Sequence, residues 1–460
     1  MNPAPQSFLL LANVSGLAGS GLVLKTNAGD ELAVSANGTV AFGQRLPTGT
    51  AYAVSVKAQP TAPNQVCTIG NASGVGGTGN VNDLNVVCST QGFVLGGTVS
   101  GLDAETSVVL RNNGAGDLTV SANGTFSFAS PVEDASSYAV TVGRQPLWQG
   151  CTVSQGSGTL NGAAINNVAV NCTRQVHTST VITGLQYIQQ LAADADGNVY
   201  AIGNNQVLKI KRDGTSTVFA GSGQSGSADG NGTSASFSSL RGIAIANGNV
   251  YVVDGAGIRK ITPSGDVTKL VTTPSLTSPS FLTADPAGNL YAIQDTHSVV
   301  KVTPAGVVLP LAGSATPGSA NGNGAAAAFS YPQGLAADGN GNVYVADLFN
   351  YMVRKITPTG DVSTLMSNSM NGFFTSPTAV GADAAGNVYV GDMNNAVIRR
   401  ISPSGQLSIL AGRSGTPGLT DGDGSTALFD TPDAVVQGAY NELFVLENYR
   451  RSIRRISTTP

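Results

Sequence analysis

The chain has 460 residues, only 11% of them charged, and a formal net charge of −4 at pH 7. Its 41% hydrophobic content excludes an intrinsically disordered chain, and the weak negative charge without clustered Lys and Arg argues against a nucleic-acid partner. No apolar run reaches the 18 residues that a membrane-spanning helix needs. The 59 glycines, set among short Val-, Ile- and Tyr-rich segments, indicate many β-strands and tight turns within two to four domains.

Residues 8–17 form the first apolar segment, which on its own would pass for the core of an export signal. The segment aligns with residues 93–102, which also end in VSGL, so we predict a strand there instead. We expect that Met1 stands where an export signal has been removed. A lipid anchor on the natural chain would have been lost from this sequence together with that signal segment.

Two copies of one small domain are predicted in residues 1–89 and 90–174, because sequence blocks recur at an offset of 84 to 86 residues. The recurring blocks are VSGL (14–17 and 99–102), LAVSANGTVAF (32–42) with LTVSANGTFSF (118–128), and YAVSV (52–56) with YAVTV (138–142). Apolar and polar residues alternate in these blocks, and Asn-Gly or Gly-rich turns separate them. This pattern is typical of a small β-sandwich.

The four cysteines are spaced by 21 residues within each copy. Four cysteines allow three pairings, but the repeat selects Cys67–Cys88 and Cys151–Cys172, and each such loop contributes about 3 kcal/mol in the chain-entropy model. Disulfides persist outside the cytosol, so we expect an exported protein: periplasmic, outer-surface or secreted. The alternatives are reduced core cysteines and a four-cysteine zinc site, which the absence of CxxC disfavours.

These two copies resemble the bacterial extracellular immunoglobulin-like repeats that occur in tandem on surface proteins and lipoproteins. The SANGT block with its following Phe, at residues 35–42 and 121–128, carries the most specific part of the resemblance. It implies that this part of the chain is a spacer or stalk and not a catalyst.

A second repeat starts near Gly184 and extends to the end of the sequence. Six blocks of the type GNVYV followed by VRKITPSG recur at a spacing of 40 to 55 residues, each with an aromatic residue in its first half. These aromatic residues are Tyr200, Tyr251, Tyr291, Tyr344, Tyr389 and Phe444. An apolar segment precedes each block and another follows its Pro-x-Gly turn, which makes four strands per repeat. Four strands form one blade, so residues 175–460 are predicted to form a six-bladed β-propeller.

The last block ends without a fourth strand, whereas STVITG at 179–184 resembles the fourth strand STVFAG at 216–221. We therefore predict that the N-terminal strand completes the sixth blade, which closes the ring and removes exposed strand edges. Over residues 179–460 the blocks resemble NHL-repeat β-propellers. The predicted fold class is thus all-β: two tandem small β-sandwich domains followed by a six-bladed β-propeller with N-terminal strand closure.

An acidic residue precedes an arginine by seven positions in the last three blocks. The pairs are Asp347 with Arg354, Asp392 with Arg399, and Glu447 with Arg454. In a hairpin between the second and third strands of a blade, such side chains can face each other and form an acid–arginine bond. The alternative is a ring of arginines for anionic ligands, which the resemblance to RNA-binding NHL domains implies.

Three long connections, at residues 220–237, 312–329 and 411–429, follow alternate blades and give one face of the propeller a pseudo-threefold arrangement. Each connection ends in a phenylalanine that we expect to pack beneath its loop. These residues are Phe237, Phe329 and Phe429.

The same loops contain three aspartates, Asp229, Asp421 and Asp423, that are weak candidates for a calcium site. Calcium takes carboxylate and backbone oxygens, but a calcium loop usually needs more carboxylates at set spacing. Asp-Gly pairs are also common in ordinary turns, so no metal or other cofactor is predicted.

The connections between the second and third strands open on the same face as the long loops and differ between blades. We predict that seven of their residues form a ligand-binding surface: His297, Phe349, Tyr351, Asn394, Tyr449, Arg450 and Arg451. Exposed aromatic side chains beside arginines suit sugar rings, peptides or a protein partner. The alternative is that these are rim residues without a ligand.

Candidates for catalysis are few. The sequence has two histidines, His177 and His297, which excludes a three-histidine zinc site, and no GxSxG motif accompanies them. Disulfide-bonded cysteines leave no thiol nucleophile, although chemistry based on two carboxylates needs neither group. We therefore predict an exported recognition or scaffold protein that binds an extracellular glycan, peptide or protein through the loop-rich propeller face. The alternatives are an extracellular carboxylate- or metal-dependent lyase or hydrolase, and a structural surface or fibre component; no oligomeric state is predicted.

Overall fold

The structure, a computed structural model, describes residues 6–272, 276–368 and 374–458. The chain divides into two compact units, Met1–Thr173 and Arg174–Pro460. Strands dominate both units, and short 3₁₀ helices occur at Gly232–Ser234, Gly324–Ala326, Leu348–Asn350 and Met393–Asn395. Within the described ranges, no helix is long and apolar enough to cross a membrane. The all-β fold class predicted from the sequence is confirmed.

The first unit contains the same set of three sheets twice. In the first copy, one sheet has the order Gly38–Ala41, Leu10–Ser15, Val81–Thr90 and Gln65–Gly70, and the other has the order Glu31–Val34, Leu22–Thr26, Ala51–Ala58 and Ser73–Val75. In the second copy, the corresponding sheets are Gly124–Ser127, Leu95–Ser100, Ile165–Arg174 and Gln149–Ser154, and Ala115–Val120, Val108–Asn112, Ser137–Arg144 and Ser157–Thr159. The third sheets are the pairs Ser7–Phe8 with Leu46–Pro47 and Gly92–Phe93 with Val132–Glu133.

Both four-stranded sheets of a copy contribute to one hydrophobic core. In the first copy, Leu10 from one sheet and Leu24 from the other belong to the same buried cluster, and in the second copy Val168 and Leu110 do the same. Alternate residues of a strand point into this core, as the burial of Leu10–Ser15 shows. Two sheets around one core form the predicted β-sandwich.

Each copy carries one of the two predicted disulfides, Cys67–Cys88 and Cys151–Cys172. In the first copy the two cysteines lie directly opposite each other on adjacent antiparallel strands. All four residues are buried. The pairing that the repeat selected is confirmed, and the alternatives of reduced cysteines and a zinc site are wrong.

Asp134 joins the two copies. Its carboxylate accepts hydrogen bonds from the backbone N–H of Asn64 in the first copy, at 2.6 Å, and from that of Gly162 in the second, at 2.7 Å. The connecting residue Gln91 donates its N–H to the carbonyl of Asn64 and accepts from the N–H of Asp134, both at 2.8 Å. Asp134 is only 6% exposed, and the backbone donors lower the pKa of its carboxyl group.

The second unit consists of six blades, each with four antiparallel strands that we name a to d in sheet order. Blade 1 consists of Gln190–Ala193, Val199–Gly203, Gln206–Ile210 and Ser216–Ala220, and blade 2 of Leu240–Ala246, Asn249–Asp254, Gly257–Ile261 and Asp266–Val271. Blade 3 consists of Ser280–Ala284, Leu290–Gln294, Ser298–Val302 and Val308–Gly313, and blade 4 of Pro332–Ala337, Val343–Asp347, Met352–Ile356 and Asp361–Ser367. Blade 5 consists of Pro377–Ala382, Val388–Asp392, Val397–Ile401 and Leu407–Gly412, and blade 6 of Pro432–Gln437, Leu443–Glu447, Ser452–Ser457 and His177–Ile182.

Blade 6 takes its strand d from the N-terminal side of the propeller, as the sequence predicts. His177–Ile182 pairs antiparallel with Ser452–Ser457, and Thr178 lies opposite Ile456. Three two-residue strands in the long loops pair with the d strands of blades 2, 4 and 6, which agrees with the predicted pseudo-threefold arrangement. These strands are Gly230–Asn231, Gly322–Asn323 and Gly422–Asp423.

A shared hydrogen-bond network explains why GNVY-like sequences recur at the start of strand b. In blade 4, Asp338 accepts hydrogen bonds from the side-chain amide of Asn342 at 2.8 Å and from the hydroxyl of Tyr344 at 3.0 Å. Asp285 and Asp383 accept the equivalent bonds in blades 3 and 5. Each network satisfies a buried tyrosine hydroxyl while its ring packs between blades.

Candidate functional site

The acid–arginine pairs predicted from the seven-residue spacing are buried within the blades. The distances are 3.0 Å for Asp347–Arg354, 2.9 Å for Asp392–Arg399 and 3.1 Å for Glu447–Arg454. All six side chains are almost excluded from solvent. The cross-strand interpretation is confirmed, and a ring of these arginines for anionic ligands is wrong, because their charge is already paired inside the fold.

Arg354 also holds the long loop that precedes its blade. Its guanidinium donates hydrogen bonds to the carbonyls of Ala320 at 2.9 Å and Ala328 at 3.1 Å, and to the side-chain oxygen of Asn321 at 2.7 Å. It lies 5.3 Å from the ring centroid of Phe329, which is fully buried, as are the two equivalent phenylalanines. The predicted role of these residues as loop anchors is confirmed, and they are Phe237, Phe329 and Phe429.

The three loop aspartates that are weak calcium candidates have other partners. Asp229 lies 2.6 Å from Arg259 and Asp421 lies 2.8 Å from Arg454, while Asp423 lies 2.6 Å from Nδ1 of His177. These carboxylates therefore complete the arginine-held loops and the ring closure. The described residues contain no group of three or more side chains arranged to hold a metal ion.

A fourth acid–arginine pair, Asp254 with Arg259 at 3.2 Å, does not have the seven-residue spacing by which the other three are predicted. Its members are five residues apart and not seven, because the b–c hairpin of blade 2 contains only Gly255 and Ala256. In blade 4 the same hairpin has four residues, three of them in a 3₁₀ helix. An alignment anchored on the strands and not on fixed spacing would have found this pair.

A cavity of about 960 Å³ opens on the face of the propeller that carries the b–c loops. Its walls come from the segment ahead of blade 1, from the beginnings of strands a in blades 2, 3 and 6, and from the b–c loop of blade 6. The lining includes Tyr187, Arg241, Phe281, Asp433, Tyr449 and Arg451. Phe281 and Asp433 also line a smaller central cavity of about 190 Å³ between the six strands a. Because the larger cavity opens onto this central one, we name it the mouth cavity.

One position at or just before the start of each strand a explains how polar side chains reach this region. It lies three residues before the strand-a partner of the recurring aromatic residue of the blade. The six residues at this position, which we name the mouth ring, are Gln189, Arg241, Ser280, Gln333, Thr378 and Asp433. The strand register shifts at Arg241, Thr378 and Asp433, and such bulges re-aim a side chain. Four of the six residues line the mouth cavity, namely Gln189, Arg241, Ser280 and Asp433.

Two tyrosines present aromatic surface to the mouth cavity. Tyr187 is 80% exposed and Tyr449 is 76% exposed. The apolar side chains of Leu185, Ile188 and Leu446 line the same cavity and are buried. A concave site with apolar lining, exposed rings and a few polar groups is typical of small-ligand binding.

The charged groups of the mouth cavity are Arg241, Arg451 and Asp433. Burial raises the pKa of Asp433, although the backbone N–H of Asn448 donates to its Oδ2 at 2.8 Å and opposes that rise. Arg241 donates from Nε to the hydroxyl of Ser239 at 3.2 Å. A carboxyl group with a raised pKa inside a cavity is a candidate for a functional role.

The backbone around the mouth cavity contains unusual conformations. Tyr187, Phe281 and Arg451 have φ values of 49°, 50° and 52°, which place them in the left-handed region. This region is uncommon for residues other than glycine and costs free energy for bulky side chains. Arg451 shares this conformation with Tyr351 and Ala396 at the same position of the b–c hairpins, and Tyr187 shares it with Tyr331, so at these two residues it is a recurring feature of the turns.

The structure divides the predicted binding residues among three places. Tyr449 and Arg451 line the mouth cavity. Arg450 instead lies 2.6 Å from Asp430 and 5.4 Å from the ring of Tyr449. Asn394 is exposed in the 3₁₀ helix of blade 5 and does not line the cavity. The b–c loops thus lie on one face as predicted, but they do not form one continuous pocket.

His297 and Phe349 belong to a separate aromatic cluster on the same face. Tyr331 stacks on Phe349 with ring centroids 4.8 Å apart and meets His297 edge-on at 6.1 Å. Phe349, Tyr331 and the neighbouring Tyr351 are 60%, 45% and 49% exposed. The sequence analysis missed Tyr331, which follows the long loop 312–329 and lies two residues before Gln333, the position that Tyr187 holds before Gln189.

No protein-family model matches the chain, and no curated protein matches it. The NHL and immunoglobulin-like resemblances therefore stay predictions. Among solved structures, a protein of unknown function from Bacteroides thetaiotaomicron matches at a TM-score of 0.51 and 15% identity, over 77% of this chain and 90% of its own. A gluconolactonase from Xanthomonas campestris matches at 0.45 and 14%, over 61% and 89%, and an auxiliary nutrient binding protein from Bacteroides thetaiotaomicron matches at 0.43 and 14%, over 78% and 92%. At these identities the likeness is one of β-propeller fold alone, and fold does not assign an activity.

Proposed function

We propose that this chain is an exported recognition protein that binds a glycan, peptide or protein partner at the mouth cavity. The observation that carries the proposal is the composition of that cavity. Two exposed tyrosines, Tyr187 and Tyr449, stand beside two arginines over an apolar lining. Aromatic and arginine side chains supply most of the binding energy at recognition sites.

The rest of the molecule is consistent with work outside the cytosol. Both disulfides require an oxidising compartment to persist. We propose that the domains run over residues 1–89, 90–174 and 175–460, with the two sandwiches as a spacer that carries the propeller. The bonds of Asp134 across the two copies support a defined spacer and not a flexible one.

A carboxylate-dependent enzyme is the second candidate, because Asp433 lines both cavities and burial raises its pKa. A carboxyl group whose pKa is raised holds its proton more readily and is a candidate general acid or base. The cavity offers Arg241 and Arg451 as groups that stabilise negative charge. Asp433 is its one acidic lining residue within the described part of the chain, whereas hydrolysis by paired carboxylates needs two.

The test is a binding screen of the full chain against glycan arrays and cell-envelope fractions. The variant Tyr187→Ala/Tyr449→Ala removes both exposed rings of the cavity, and Tyr440→Ala is the matched control. Tyr440 is 70% exposed but lies in the a–b turn of blade 6, which opens on the opposite face. Saturable binding that the double variant loses and the control keeps supports the proposal; equal binding by both variants contradicts it.

The variant Asp433→Asn separates the two candidates. The amide keeps an oxygen that accepts from the N–H of Asn448 but it cannot exchange a proton. Recognition predicts that any ligand found in the screen still binds this variant and is recovered unchanged. Chemical conversion of the ligand by the unmodified chain, lost in Asp433→Asn, would establish the enzyme instead.

A further inference from the structure

The two arginines of the mouth cavity differ from most other arginines on the ligand side of the propeller. Arg259, Arg354, Arg399, Arg450 and Arg454 each lie within ion-pair distance of an acidic side chain. In the part of the chain that the structure describes, Arg241 and Arg451 have no such partner. These are the two that line the cavity. Arg413, in the long loop after blade 5, is exposed and has no acidic partner among the described residues either, but it does not line the cavity.

The charge balance of the cavity is therefore positive in a chain whose net charge is −4. Two guanidinium groups face one carboxyl group, Asp433, and one oxygen of that group already accepts from the backbone of Asn448. A guanidinium group binds a carboxylate through paired, charge-assisted hydrogen bonds. An anionic group on the ligand would supply the partner that the protein lacks.

The remaining lining suits a ring that bears hydroxyl groups. Tyr187 and Tyr449 offer exposed aromatic faces, while Gln189 and Ser280 of the mouth ring add side-chain amide and hydroxyl groups. Such a mixture of flat apolar surface and dispersed hydrogen-bonding groups matches a sugar ring better than an extended peptide, which uses backbone pairing along a strand edge.

We propose that the mouth cavity takes an acidic sugar unit of a glycan, with the sugar carboxylate on Arg241 and Arg451 and the ring against Tyr187 and Tyr449. This inference rests on the proposed recognition function and names its ligand class. Binding is reversible and involves no covalent step. It adds to that function a selectivity for carboxylated over neutral sugars.

The experiment is isothermal titration calorimetry of the full chain with three probes. They are a trimer of galacturonic acid, the matched neutral trimer of galactose, and a tri-glutamate peptide of equal charge. We expect the acidic trimer alone to bind, and its affinity to fall as salt concentration rises, because salt screens exposed charges.

Variants then locate the contact. Arg241→Gln and Arg451→Gln are each expected to weaken binding of the acidic trimer by at least about tenfold, the usual size of one charge-assisted bond. Arg413→Gln is the control, because Arg413 is exposed but does not line the mouth cavity. Arg241 and Arg451 are also exposed, so thermal unfolding of the two cavity variants should match that of the unmodified chain.

The outcomes separate the ligand class from the function. Equal affinity for the neutral trimer, or binding of the peptide alone, overturns the acidic-sugar proposal and leaves recognition at the cavity standing. Binding of the acidic trimer that survives both arginine substitutions overturns the placement. Binding of none of the three probes overturns the proposal as well, and the tyrosine variants in the envelope screen then decide whether the recognition function itself fails.

Discussion

The carboxylate of Asp347 and the guanidinium of Arg354 lie 3.0 Å apart, and neither side chain is accessible to solvent. Desolvation raises the pKa of Asp347, while hydrogen bonds from Asn350 and Ser330 and the charge of Arg354 oppose that rise. Removing one partner from a buried pair leaves the other charge uncompensated, and this costs more than the pair contributes. Because Arg354 also donates hydrogen bonds to the long loop 312–329, it connects that loop to the b–c hairpin of blade 4.

We expect Asp347→Ala to destabilise the propeller by about 3–5 kcal/mol, because Arg354 would stay buried without its counter-charge. Differential scanning calorimetry of the full chain measures this loss of stability. The matched control is Asp117→Ala, which removes the acid of an exposed pair with Arg111 and should change stability little. Similar losses in both variants would contradict the assignment.

Replacing both partners by apolar residues should not restore stability here, although it often does for simple buried pairs. Arg354 also satisfies the carbonyl groups of Ala320 and Ala328, and methionine has no donor for them. Asp347→Leu/Arg354→Met is therefore expected to keep a deficit of about 1–3 kcal/mol per carbonyl left without a partner. Calorimetric recovery to the level of the unmodified chain would show that the loop does not depend on this arginine.

Phe329 and Phe349 are expected to respond differently to truncation. Phe329 is fully buried beneath its loop, so Phe329→Ala should cost about 3–5 kcal/mol through lost contacts and a cavity. Phe349 is 60% exposed, so Phe349→Ala should leave the thermal transition almost unchanged. Calorimetry of the two variants checks the contrast. A large loss in Phe349→Ala would mean that its stacking on Tyr331 is structural.

Repetition explains which features the sequence predicts well. Blade number, ring closure and both disulfides follow from patterns that occur several times, so an error in one copy is corrected by the others. The same holds for Phe329 and Arg354, which have counterparts in other blades. These residues perform the same structural task wherever the repeat places them.

The mouth cavity depends on residues that do not repeat. Arg241 and Asp433 each occur once at their position, and bulges in strands a turn them toward the mouth cavity. A bulge is a property of how strands a and b pair, and a single sequence does not display that register. Aligning the strands a by their distance from the recurring aromatic residue would have shown that one polar residue per blade interrupts an apolar strand.

Asp134 provides a prediction about the joint between the two sandwich copies. Its pKa is lowered by the N–H groups of Asn64 and Gly162, so its stabilising effect is present above the unfolded value of about 3.8 and is lost as the pH falls through the folded value. We expect Asp134→Ala to reduce hydrogen-exchange protection of these two amides by about tenfold at pH 7. Asp117→Ala in the same copy is the control, since its carboxylate contacts only exposed groups. Unchanged protection in Asp134→Ala would mean that Gln91 alone holds the joint.

Asp433 should show the opposite dependence on pH. Burial raises its pKa above the unfolded value, so the folded chain disfavours the charged form, and this penalty appears as the pH rises from about 3.8 through the folded pKa. Asp433→Asn removes the penalty and keeps an acceptor for the N–H of Asn448, so the variant should be at least as stable as the unmodified chain at pH 7. The difference should vanish below pH 3.8.

Asp361→Asn serves as the control of opposite sign. Hydrogen bonds from Asn323, Thr359 and Thr357 lower the pKa of Asp361, so its charged form stabilises the folded chain above about pH 3.8 and that effect is lost in acid. Calorimetry at pH 7 should therefore show Asp361→Asn below and Asp433→Asn at or above the unmodified chain. Asp433→Asn being the less stable of the two at pH 7 would mean that a partner in the folded protein stabilises the ionised carboxylate of Asp433. The net positive charge of the mouth cavity would then be smaller than we infer.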